Sequence, residues 1–76
     1  MEVTQIYIFS NATSGIHYLR KANTFLQEIH RVDGNFQIER IDIGSGKDAQ
    51  IAIIAKVRWG MADLVWKKYL EVRAKE

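Results

Sequence analysis

Few residues in this chain have the types and spacing that chemistry needs. Gly44-Ser45-Gly46-Lys47 has the form of the tail of a phosphate-binding P-loop. That motif also needs an earlier Gly, a Ser or Thr after the Lys, and a passage from strand into helix. Here Asp48 follows Lys47 and a second strand pattern comes next, so a hairpin turn is the better reading. Residues 10–15, Ser-Asn-Ala-Thr-Ser-Gly, lie between a strand pattern and a helix pattern. An anion would be held there by backbone N–H groups and the positive end of the helix dipole, beside Asn11, Thr13 and Ser14. Ordinary helix capping needs just one of these residues and explains the same composition. His17 and His30 fall on different sides of one helix at 100° per residue, so they form neither a metal pair nor a His–carboxylate dyad. His30 suits the negative end of the helix dipole.

Basic residues concentrate in the last third of the chain: Lys56, Arg58, Lys67, Lys68, Arg73 and Lys75. With Trp59, Trp66 and Tyr69 nearby, they suggest a nucleic-acid surface that combines phosphate neutralisation with base stacking. Lys56, Arg58, Lys67, Lys68 and Arg73 are the candidate contacts. The plainer reading is the solvated face of a helix whose aromatics are core, and Glu71 and Glu76 dilute the patch.

The composition limits what such residues can do. Seventy-six residues make one small domain, and chains of this size often need a disulfide, a metal or a partner subunit. With no Cys there are no disulfides and no thiolate metal sites, and two His cannot close a metal site alone. Oligomerisation is the remaining staple. Hydrophobic residues at 47% and charged residues at 26% are ordinary globular values. Net charge is +2, from 11 basic and 9 acidic residues, which permits anionic partners without arguing for them. No apolar run approaches membrane-spanning length and the first residues do not read as a signal peptide, so a cytoplasmic location is expected.

The element that must organise the rest is residues 48–59. Ala49, Ile51, Ile53, Ala55, Val57 and Trp59 alternate with Gln50, Ala52, Ile54, Lys56 and Arg58, without Pro or Gly, which predicts a strand with one fully buried face. Residues 3–9 predict a strand apolar on both faces, Ile6 and Ile8 against Val3, Tyr7 and Phe9, as if covered twice. A helix is expected from Thr13 or Ser14 to His30 or Arg31, with Tyr18, Leu19, Ala22, Phe25, Leu26 and Ile29 on its apolar side. Asp33-Gly34-Asn35 stops it. In residues 36–43 the alternation breaks, and a bulge near Glu39-Arg40 would restore one buried face. Gly60 ends the organising strand, and residues 61–75 predict a second helix with a broad apolar arc.

Across residues 3–59 this pattern resembles a family of very small proteins of sporulating Gram-positive bacteria. The likeness rests on the short first strand, on Asn23-Thr24-Phe25-Leu26-Gln27-Glu28-Ile29 in the helix, on Ile41-Asp42-Ile43, and on the final aliphatic strand. That family has no established biochemical activity, so the resemblance implies a fold. The helix from Met61 onward departs from it.

The expectation is one α+β domain over residues 1–76. It has the order βαββα, with a three-stranded antiparallel or mixed sheet covered by two helices, as in a ferredoxin-like unit lacking its last strand. If the first strand pairs beside the third, its outer edge is open, and a second copy of the chain is the simplest cover. The expected function is a non-enzymatic protein-interaction or structural module acting as a homo-oligomer, a dimer favoured. Its candidate interface is Ile6, Ile8, Met61, Leu64, Val65, Trp66 and Tyr69. No catalytic residue, metal, cofactor or membrane partner is expected. The alternative is a small nucleic-acid-binding or regulatory protein using the basic C-terminal third.

Overall fold

β3 (Gln50–Arg58) runs through the centre of a three-stranded antiparallel sheet, with β1 (Glu2–Ser10) on one side and β2 (Gln37–Gly44) on the other. The computed structural model describes residues 1–34, 36–44 and 49–75. Between the strands come a short helix α1 (Asn11–Ser14) and the longer α2 (Tyr18–Val32); after β3, a 3₁₀ turn (Trp59–Met61) leads into α3 (Ala62–Ala74). The order is that of a ferredoxin-like unit without its fourth strand, and both strand pairs are antiparallel. The turn expected at Gly44-Ser45-Gly46-Lys47 lies, beyond Gly44, outside the described residues.

The register follows from the alternation. Tyr7 stands opposite Ile53 and Phe9 opposite Ile51, which places these four side chains on one face. β2 joins that face through a register shift between Ile38 and Arg40: Ile38 pairs with Ala55, then Ile41 with Ile53 and Ile43 with Ile51. The extra residue is the bulge that the broken alternation demands.

α2 and α3 both pack on this one face. Ala22, Phe25 and Ile29 of α2 meet Val65, Tyr69 and Val72 of α3 over Tyr7, Phe9, Ile53, Ala55 and Val57. The centre is aromatic: the Tyr7 ring lies 4.9 Å from Phe25 and 5.3 Å from Tyr69, and Phe9 lies 5.3 Å from Tyr69, edge to face. Each such pair contributes about 0.5–1.5 kcal/mol beyond the area that it buries.

Three expectations are corrected. The first helix is not continuous from residue 13: Gly15, at φ 83 and ψ −176, breaks it. That backbone region is open essentially to Gly alone. The four residues before it form their own turn, closed by a capping box between Ser10 and Thr13. Trp59 does not continue the buried face of β3, because the chain has already entered the 3₁₀ turn there and leaves the indole 67% exposed. Finally, the helices cover only the Tyr7/Phe9 face of β1, and the Ile6/Ile8 face carries no helix.

Candidate functional site

The sheet presents two outer edges, and the one along β1 carries the candidate site. In an antiparallel ladder, alternate residues direct both backbone groups toward the neighbouring strand and the others direct theirs outward. Ile8 belongs to the outward set. Its N–H donates to the Tyr69 hydroxyl at 3.2 Å, and that hydroxyl donates to the Ile8 carbonyl at 2.8 Å. The outward groups of β1 are therefore those of Glu2, Thr4, Ile6, Ile8 and Ser10.

The far half of this edge is closed within the chain. Tyr69 closes it at Ile8, and Arg73 holds the phenol in place, donating to its oxygen at 3.2 Å with the guanidinium 5.1 Å from the ring centre. At Ser10 the backbone N–H donates to Thr13 Oγ1 at 3.1 Å. No corresponding hydrogen bond reaches the outward groups of Glu2, Thr4 or Ile6 among the described residues. The near half of β1 is thus an unpaired strand edge.

α3 flanks this edge. Its start is fixed by a polar chain through the core: the Tyr7 hydroxyl donates to Gln5 Oε1, and Gln5 Nε2 donates to the Ala62 carbonyl at 3.4 Å. Burial holds the Tyr7 phenol well above the ordinary tyrosine range, so it remains a donor. One side of α3 faces α2, as the Lys68–Glu28 contact at 3.9 Å shows, and the other faces the edge through Arg73 and Tyr69. Helical spacing puts Trp66 and Leu70 on the edge side. Trp66 remains 39% exposed while its ring packs 5.8 Å from Tyr7.

The expected interface residues therefore separate. Ile6, 51% exposed, and Trp66 lie along the open edge. Ile8 is on the same strand, with its backbone already engaged. Val65 and Tyr69 lie in the protein's own core, and Met61 packs against that core. Leu64 is exposed, on the α2 side of α3. Glu2, Thr4 and Leu70 were missed, because edge position depends on strand order and no local pattern carries it.

The expected nucleic-acid contacts do not gather into one basic surface. Lys56 lies 3.3 Å from Glu39, Arg58 lies 3.2 Å from Asp33, and Lys68 sits between Glu28 and Glu71. Arg73 is spent on Tyr69, and Lys67 is exposed. An exposed pair such as Lys56–Glu39 adds little stability, on the order of 0–1 kcal/mol, but the carboxylates in these pairs neutralise charge that phosphates would need.

At the expected anion site, Ser10 and Thr13 use their hydroxyls to cap α1. Asn11 is exposed and Ser14 is buried. His17 stands at the start of α2, and His30 packs edge-on to Phe36 in its last turn. Among the described residues no three His, Asp or Glu side chains group as a metal site, and no helix is long and apolar enough to cross a membrane. Comparison with protein-family models, with curated proteins and with solved structures gives no match for this chain.

Proposed function

We propose that this chain is a non-enzymatic, cytoplasmic interaction module that works as a homodimer through the near half of the β1 edge. The observation that carries the reading is the contrast along that edge, capped at Ile8 and Ser10 and unpaired at Glu2, Thr4 and Ile6. Two copies related by a two-fold axis would pair antiparallel, Thr4 opposite its own copy and Glu2 opposite the partner's Ile6. Each inter-strand hydrogen bond contributes about 0.5–1.5 kcal/mol net, so a few of them need apolar contact as well. Trp66 and Ile6 would supply it, since the start of α3 lies beside Gln5 and hence close to such an axis. The Tyr69 cap would stop the pairing from sliding toward Ser10 and fix the register.

Light scattering of the wild type beside Trp66→Glu tests this. The wild type should have dimer mass, and the variant monomer mass with unchanged helix content. A monomeric wild type at high concentration, or a folded variant that keeps the wild-type mass, would contradict the reading.

A further inference from the structure

A second feature, beside the turn that follows α1, concerns small ligands. A cavity of about 450 Å³ opens between the turn at Gly15, the first turns of α2 and the end of α3. Its volume lies within the range typical of small-molecule sites, roughly 300–1,000 Å³. The charged side chains that line it are Arg20, Lys21 and Lys75, and among the described residues no carboxylate lines it. Four other cations, Arg40, Lys56, Arg58 and Lys68, each lie within 4 Å of an acidic oxygen. Among the described residues the three cavity cations have no such partner. Lys21 is instead tethered by donating to the Arg73 carbonyl at 3.2 Å, which holds its charge at the cavity wall.

Two further properties narrow the ligand. The Ser14 hydroxyl, on a residue only 5% exposed, and Thr24 line the cavity as neutral hydrogen-bonding groups. The walls also include Val72 and the largely exposed Ile16, which offer apolar surface, and His17 beside them. Three positive charges suit a dianion better than a single carboxylate, and the apolar wall favours a ligand with a hydrocarbon part. The start of α2 adds to the same field: it has no acidic residue in its first turn and no side-chain cap. We propose that this cavity binds a small phosphate monoester with an apolar body, held by Arg20, Lys21 and Lys75.

Phenyl phosphate is the probe, titrated into ¹⁵N-labelled protein at low ionic strength and followed by amide chemical shifts. Saturable shifts are expected around residues 14–24 and 72–75, with β2 unmoved. Inorganic phosphate should bind more weakly and benzyl alcohol should give no shift. Arg20→Ala combined with Lys75→Ala alters two exposed side chains, so the melting temperature should hold while affinity falls by about tenfold or more. Absence of saturable shifts at millimolar phenyl phosphate would overturn the proposal. So would equal shifts around Lys67, or binding untouched by the double substitution. Inorganic phosphate binding as tightly as the phenyl ester would remove the apolar part of the ligand assignment.

Discussion

β1 and β2 are both edge strands of one sheet, both rich in large apolar side chains, and the protein treats them in opposite ways. β1 buries Tyr7 and Phe9 completely under the helices, whereas every residue of β2 is exposed, including Ile41 and the 75%-exposed Ile43. The helices account for this: α2 and α3 lie over β1 and β3 and leave β2 outside their footprint. Yet β2 is the better defended edge. It carries a bulge after Ile38, and Glu39, Arg40 and Asp42 along its length, with Arg40 paired to Asp42 at 3.2 Å. Bulges and charges are standard devices against strand addition. β1 has an unbroken register and, along its length, a single charge at Glu2; its defence is one phenol and one helix cap over its second half. Burial and edge protection are thus separate properties. Of the two edge strands, the one more deeply tied into the core is the one whose near half is unpaired.

Substitutions can sharpen this contrast. Phe9→Ala should cost about 3–5 kcal/mol, enough to unfold much of a domain this small, while Ile43→Ala should change stability by no more than about 0.5 kcal/mol. Chemical denaturation of the two variants checks the difference, and comparable losses would mean that the helices also cover β2. Tyr69→Phe removes the hydroxyl from the Ile8 N–H, the Ile8 carbonyl and Arg73. It should cost about 1–3 kcal/mol and, by freeing the Ile8 backbone groups, let the pairing slide toward Ser10, read as concentration-dependent exchange protection of the Ile8 amide.

How far the sequence carried these conclusions depends on the range of each interaction. The β3 alternation and the β2 bulge are local and were legible as written. The open β1 edge was legible only conditionally, since no local pattern states which strand lies beside which. The Tyr69–Ile8 cap joins residues 61 positions apart and carries no local signal, so helical spacing alone puts Tyr69 in an apolar arc without showing that it is both core and cap. The helix break was hidden because apolar spacing reads straight through Gly15, although the glycine was in plain view. The cavity cations come from α2 and from the residue that follows α3, and only the packing of the two helices brings them together.

Smaller effects test the supports of the two edges. Gly15→Ala should cost about 1–2 kcal/mol from backbone strain alone, because a Cβ there meets no atom within 4 Å. Thermal melting measures it, and an unchanged midpoint would show that the turn can relax. Tyr7 gives a pH signature. Its folded-state value is raised by burial, so its contribution to stability is complete below about pH 10 and is lost as pH rises beyond that point. Tyr7→Phe should flatten that alkaline loss, as read by denaturant midpoints between neutral and alkaline pH.

The most direct measurement is amide hydrogen exchange at Thr4 and Ile6 over a range of protein concentrations. Dimerisation through this edge predicts that both amides gain protection as concentration rises, while the amide of Ile8, already capped by Tyr69, changes little. Exchange at Thr4 and Ile6 that stays fast and independent of concentration would contradict it.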